Sequence, residues 1–340
     1  MELRTTDSDT IKWVDCIKAF ACVLVVVGHF FQSMTKSGIV PATKGLYVFD
    51  QVIYTFHVYL FFVCSGYLYQ KTGKIDTFRA YICNVKKKLI VLGTPYLVFS
   101  GIAYMLKMLA ESDVNDCLEH SFFGTLFWYP LSPYWFLYAL FFCYTFAAPF
   151  RTKRGWVMYT SVLLFAMRVF SKIEIGFPPI SYYLKIGIYF LAGMGLVLIE
   201  DVIRKNRRTT GFMIVLLLLG YVTWTWIAKD NEAVMSYGRI AGWMIILGLC
   251  VGGILVEQRC HISLSWIREC FMPVYVMHTI FAAGVRIALM KAGIASAVIH
   301  VLFGLVISFA GPVVAYYMLK KTNYGLVIFN PYKVKWREND

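Results

Sequence analysis

Apolar positions come in long runs along this chain, and the runs set its architecture. They cover Trp13–Ser33, Leu46–Tyr69, Leu89–Leu109, Tyr134–Phe150, Trp156–Phe170, Tyr182–Ile199, Phe212–Ile227, Ile240–Val256, Phe271–Met290 and Ala297–Leu319. Most approach the length a helix needs to span about 30 Å of hydrocarbon. The pattern predicts an all-α, polytopic membrane bundle of about ten transmembrane helices. The stretch from Ser121 to Pro133, with its aromatics and prolines, reads as an interfacial segment leading into the fourth run. No polar segment is long enough to fold alone. Residues 13–319 are therefore expected to form one transmembrane domain between tails at 1–12 and 320–340. No small-residue cleavage site follows the first run, so a retained helix is expected there and not a cleaved leader.

Loop charge orients the bundle. With the N-terminus inside, twenty-two Lys and Arg fall on the inner side. They lie at Arg4 and Lys12, between Lys71 and Lys88 (with Lys74), at Arg151–Arg154, Arg204–Arg208, Arg259 and Arg268, and from Lys320 to Arg337. The outer loops and span ends hold six: Lys36, Lys44, Lys107, Lys172, Lys229 and Lys291. The loop with Glu111, Asp113, Asp116 and Glu119 is acidic and also lies outside. Positive residues collect on the cytoplasmic side, so both termini are expected to be cytoplasmic.

Composition agrees. Of 340 residues, 59% are hydrophobic and 15% charged, and the mean hydropathy is +0.64. A soluble domain carries more charge than that. The net charge of +14 needs no nucleic-acid partner, because basic loops beside anionic lipid account for it. Of nine cysteines, only Cys117 falls in an outer loop, which leaves it without an obvious disulfide partner. No metal-ligand spacing of Cys or His occurs, and no metal is expected.

The chemistry concentrates in the first run, which carries Asp15, Lys18 and His29. Ionisable residues inside a membrane are expensive and mark function by default. At about 100° per residue, Lys18 and His29 differ by about 20° around a helix, and Asp15 lies within about 60° of Lys18. One face thus bears a carboxylate, an ammonium and, about 16 Å further along, an imidazole. In the orientation above the stripe leads from the cytoplasm outward.

Other motifs recur in order along the chain. The second run reads Phe56-His57 and then Phe61-Phe62-x-x-Ser65-Gly66-Tyr67. The third opens on Lys86–Lys88 followed by Thr94-Pro95-Tyr96, and the fourth on Ser132-Pro-Tyr-Trp135-Phe-Leu-Tyr138. Tyr189-Phe-Leu-Ala-Gly193 and Tyr275-x-x-His278 follow. In this ordered set the chain resembles the acyltransferase 3 family of integral membrane acyltransferases, over nearly its whole length. Family members carry a basic residue, ten intervening positions and then His in the first helix; here Lys18 stands where Arg is commoner. The Gly28-His29 and Phe56-His57-x-x-Leu60-Phe61-Phe62 combination leans toward the branch resembling fucose 4-O-acetylases and related surface polysaccharide O-acetyltransferases.

The resemblance implies transfer of an acyl group, most often acetyl, from cytoplasmic acyl-CoA to a hydroxyl of a surface glycan or its lipid-linked precursor. It also implies a multi-pass protein of a bacterial-type cytoplasmic (inner) membrane. His29 is then the base, with direct attack by the acceptor and an acyl-histidine intermediate both open. Asp15 orients or pairs with Lys18, and Lys18 meets the CoA phosphates. Lys86 and Ser65 are further candidates on the CoA side, although a topology signal and close helix packing are the duller readings. His57, Trp135, His278 and Arg286 are candidates on the acceptor side. Arg168, Lys185 and Arg239 near outer span ends either snorkel or line an outer cavity. The expected partners are acyl-CoA, a glycan or glycolipid acceptor and the bilayer, with a homo-oligomer left open. Two rivals keep the same span count: a transporter or flippase, and a non-catalytic partner in polysaccharide export.

Overall fold

The computed structural model describes residues 11–73, 75–111, 115–173, 175–257 and 265–331. Arg4, Lys74, Asp113, Arg259, Cys260, Lys333, Lys335 and Arg337, used above for topology and cysteine counting, lie outside them. All regular structure in the described residues is helical. In chain order the helices are α1 (Lys12–Lys36), α2 (Lys44–Tyr54), α3 (His57–Thr72), α4 (Phe78–Lys88), a π-helical turn (Leu89–Gly93), α5 (Thr94–Leu109), α6 (Phe122–Phe127), α7 (Trp135–Phe146) and α8 (Lys153–Val169). After a short 3-10 turn come α9 (Pro178–Lys205), α10 (Arg207–Ala228), α11 (Glu232–Met235), α12 (Gly238–Val256), α13 (Ser265–Lys291), α14 (Ala297–Leu319) and α15 (Asn323–Phe329).

Eight helical stretches are long and apolar enough to cross a membrane, counting α2 with α3 and α4 with α5 as one each. They match eight of the ten apolar runs. The remaining two runs form α7, with 12 residues, and α8, with 17. Chain beyond α7 reaches the end of α3, where Phe150 exchanges hydrogen bonds with the Gln70 side chain at 2.8 and 2.9 Å. The tail expected after residue 319 is structured at its start. There α15 brings Phe329 against Phe99 and Tyr316.

Interhelical ion pairs sort the loops onto two ends of the bundle. Lys36 meets Asp116 at 2.7 Å and Lys44 meets Asp230 at 2.7 Å. At the other end Lys71 meets Glu200 (2.7 Å), Arg151 meets Asp76 (3.6 Å), Arg268 meets Asp15 (3.9 Å) and Lys320 meets Glu269 (2.5 Å). Each pair joins segments that charge counting places on the same side. We call the second set the basic end.

The core surrounds α1. Its buried positions, Trp13, Val14, Ile17, Ala21, Cys22, Val25, Val26, Gly28, Phe30 and Met34, recur every three or four residues, as a helix with one inward face requires. Phe20 and Val23 point out. Helices α3 and α9 pack backbone to backbone. A Cβ on Gly66 would strike the Phe190 carbonyl, and one on Gly193 would strike that of Val63. Small residues permit such contact where lipid supplies no hydrophobic drive between helices.

The second apolar run is not one rod. It breaks at Thr55-Phe56, between α2 and α3. A break in hydrocarbon frees backbone groups that need partners. Tyr221 of α10 donates to Val52 O at 3.0 Å, Thr55 Oγ1 donates to the same oxygen at 2.7 Å, and His57 Nδ1 lies 2.6 Å from Ile53 O. The break is thereby fixed, and it sets His57 as the first residue of α3. The π turn before α5 has a related cause. Pro95 has no N–H for the carbonyl four residues back, and the hydrogen-bond register widens just ahead of it.

At the basic end Glu200 ties α3 to α9. Its carboxylate accepts from Tyr67 Oη (2.9 Å), Lys71 Nζ (2.7 Å) and Arg204 Nε (2.9 Å). The Lys71 side chain is 42% exposed, so the cluster is worth less than a fully buried pair. Glu200→Gln is expected to cost about 2 kcal/mol, read as a lower thermal-unfolding midpoint of the detergent-solubilised protein.

Candidate active site

The polar stripe of α1 opens on two cavities. At the basic end a cavity of about 340 Å³ is lined by Asp15, Lys18, Ser65, Tyr144, Arg268 and Tyr275, among others. Toward the opposite end a cavity of about 400 Å³ is lined by His29, Gln32, Lys36, Asn115, Asp116, Tyr134, His278 and Arg286, among others. The continuous outward conduit that the stripe suggests is therefore divided. The partition lies where α13 meets the entry to α7. Tyr275 Oη donates to Pro133 O, and Tyr134 Oη donates to Val276 O at 3.1 Å. Tyr275 lines the first cavity and His278 the second, and three residues of helix separate them by only about 4.5 Å.

His29 faces the second cavity. No hydrogen-bond partner of its ring appears among the described residues. Its ring centroid lies 5.4 Å from that of His278 and 6.2 Å from that of Tyr54. Tyr54 in turn meets His57 edge-on at 4.6 Å. Residues from α1, the α2–α3 break and α13 thus form a row of rings in the order His278, His29, Tyr54, His57. His57 and His278 are 0% and 1% exposed. Both direct Nδ1 at backbone carbonyls: His57 at Ile53 O, and His278 at Tyr275 O (2.8 Å) and Val274 O (3.1 Å). Tyr54 is held through Gln32, which accepts from Tyr54 Oη at 3.1 Å and donates to Asp50 at 2.7 Å. Among the described residues no three His, Cys, Asp or Glu side chains are placed to hold a metal ion.

The structure sorts the remaining candidates. Asp15, Lys18 and Ser65 share the first cavity, and Arg286, 7% exposed, lies on the wall of the second. Lys86 is exposed on α4 and lines neither cavity. Lys88 is the lysine of that run that turns inward, with Nζ 4.0 Å from the ring centre of Tyr144. Two residues on a helix are about 200° apart, so the two lysines face opposite ways. Trp135 stacks on Tyr182 at 6.1 Å and lines neither cavity. Arg168, Lys185 and Arg239 are exposed.

Sequence reading did not single out Lys88, Tyr54 or Tyr134, and it counted Arg268 only as a topology charge. A signal for Arg268 exists. Arg268, Met272, Tyr275 and Thr279 recur at spacings of four, three and four, the stripe of a helix face. His278 and Ala282 adjoin that stripe on the same helix.

This chain matches the acyltransferase 3 family (Acyltransferase domain) over residues 11–317. It belongs to that family, and the matched span takes in both cavities and every helix that builds them. No curated protein and no solved structure matches it.

Proposed function

We propose that this membrane acyltransferase moves an acyl group, acetyl first, from acyl-CoA at the basic, cytoplasmic end to a hydroxyl of a surface glycan or glycolipid at the other end. The observation that carries this is the placement of Lys18 and His29 on one helix face, each in its own cavity wall and about 16 Å apart along the axis. The CoA phosphates bind at the first cavity, where Lys18 and Arg268 supply positive charge, with Asp15 holding Arg268 at 3.9 Å. The pantetheine arm carries the thioester to the second cavity once the Tyr275–Pro133 and Tyr134–Val276 contacts of the partition open to admit it. There His29 accepts the proton of the acceptor hydroxyl as the oxygen attacks the thioester carbonyl. The C–O bond forms, the C–S bond breaks, and the CoA sulfur leaves as a thiolate that takes the proton back from the imidazolium. The ester and free CoA are the products.

The test is acyl-CoA consumption by the purified protein with extracted cell-envelope glycolipid as acceptor. Stoichiometric release of free CoA and acylated glycolipid is expected. Binding or movement of the glycolipid with no CoA released would favour a transporter and defeat the proposal. Lys18→Ala is expected to raise the KM for acetyl-CoA about tenfold or more, the worth of one charge-assisted contact, with a smaller fall in kcat. An unchanged KM would remove Lys18 from the donor site.

A further inference from the structure

The hydrogen-bond geometry of His278 specifies what the acceptor side of the second cavity can receive. A carbonyl oxygen only accepts, so the ring nitrogen facing Tyr275 O and Val274 O, Nδ1, carries the proton. In a neutral ring the other nitrogen, Nε2, is then a bare lone pair. Nε2 of His278 is buried and has no hydrogen-bond partner. The residue lines the cavity beside His29, and with Nδ1 turned to its own helix, Nε2 is its one nitrogen without a partner, reached by an occupant when the covering side chains yield. Two donors beside it are engaged elsewhere, Tyr134 Oη on Val276 O and Tyr275 Oη on Pro133 O. His57 offers no donor at its far edge either, since its Nδ1 faces Ile53 O and its Nε2 is likewise buried without a partner. A buried acceptor left unmet is costly, so the site calls for a ligand O–H or N–H. Two imidazoles with centroids 5.4 Å apart can receive two such groups held close together on one molecule.

We propose that His278 is a positioning residue for the acceptor: its Nε2 receives a hydrogen bond from a second hydroxyl, on the carbon next to the one whose oxygen is acylated, so that the enzyme selects a vicinal diol. This rests on the reading of the second cavity as the transfer site. His29 takes the proton of one hydroxyl while His278 holds its neighbour, which fixes which oxygen faces the thioester. A hydroxyl-free neighbour leaves the lone pair unmet, and a site built to hydrogen-bond a substrate hydroxyl discriminates strongly against analogues that lack it.

The first experiment uses the intact protein with ¹⁵N-labelled histidine in lipid nanodiscs, with the His278 signals assigned by their loss in His278→Phe. A neutral ring protonated at Nδ1 is expected. A ring protonated at Nε2 would overturn the proposal, and this measurement needs no active variant. The second compares two acceptors with acetyl-CoA: the extracted envelope glycolipid, and the same extract after periodate oxidation and borohydride reduction, which cleaves vicinal diols. Acylation of the untreated extract and loss of at least tenfold in the oxidised one is expected. Equal acylation of both overturns the diol assignment and leaves the acyltransferase reading standing, whereas acylation of neither takes both down. With the untreated extract, His278→Phe is expected to raise the acceptor KM about tenfold, with a smaller change in kcat. His278→Gln, whose amide oxygen can accept, is expected to recover part of that loss. A fall in kcat alone, with no rescue by Gln, would contradict a positioning role.

Discussion

His29→Ala is expected to lower acyl transfer by about 10²- to 10⁴-fold, the contribution of a positioned general base, while the protein accumulates and solubilises as the native chain does. The separation of the two effects follows from where the side chain lies. His29 is only partly buried and faces a cavity, so removing the imidazole enlarges an existing space and leaves the packed side of α1 (Val25, Val26, Phe30) untouched. Its neighbours cannot take its place. His57 does not line the cavity, His278 is read as holding the neighbouring hydroxyl, and Tyr54 is tied to Gln32. The residual rate comes from proximity alone. Added imidazole is expected to restore part of the lost rate, because the vacated wall of the cavity is open to a small base. The measurement is the rate of CoA release per folded protein. A variant with the rate of the native protein would remove His29 from the chemistry.

Gly66→Ala has the largest expected effect on the fold. In the α3–α9 contact its new methyl would meet the carbonyl carbon and oxygen of Phe190, and the reciprocal Gly193→Ala would meet the backbone of Val63 and Tyr67. Neither obstacle is a flexible side-chain end. Both are helical backbone, so the two helices must separate. Overpacking of this kind costs about 3 kcal/mol or more, a large share of a typical stability. The displacement would also move Ser65 at the first cavity and His57 at the start of α3. The expected result is loss of monodisperse protein in detergent, or a thermal-unfolding midpoint many degrees lower. Gly252→Ala in α12 is the matching control. A methyl there meets nothing within 4 Å, and the helix is expected to be unharmed or stabilised by about 0.5–1 kcal/mol.

Features that depend on one helix and its own periodicity were readable from the chain. The alignment of Asp15, Lys18 and His29 is a matter of angle per residue, and α1 forms one continuous helix from Lys12 to Lys36. The apolar runs locate the helices because each must satisfy its backbone internally in lipid. Loop charge, used as a topology signal, groups the same loops that ion pairs join in the structure. Features that depend on contacts between distant segments were not readable. The meeting of His29 with His278 joins positions 249 residues apart in sequence, and no local pattern encodes it. The partition between the cavities depends on two tyrosines reaching for carbonyls across an interface. The break at Thr55-Phe56 is stabilised by Tyr221, which lies more than 160 residues away. The choice between Lys86 and Lys88 turns on which side of α4 faces the bundle, and a run of three lysines hides that side.

The central claim is that the polar face of α1 performs acyl transfer, with His29 as the base. The most direct measurement is mass spectrometry of surface glycans from cells lacking the gene, complemented with either the native chain or His29→Ala at equal protein levels. Acyl groups restored by the native chain and missing with His29→Ala are the predicted result. Equal acylation in both, or no acyl difference between cells with and without the gene, would contradict it.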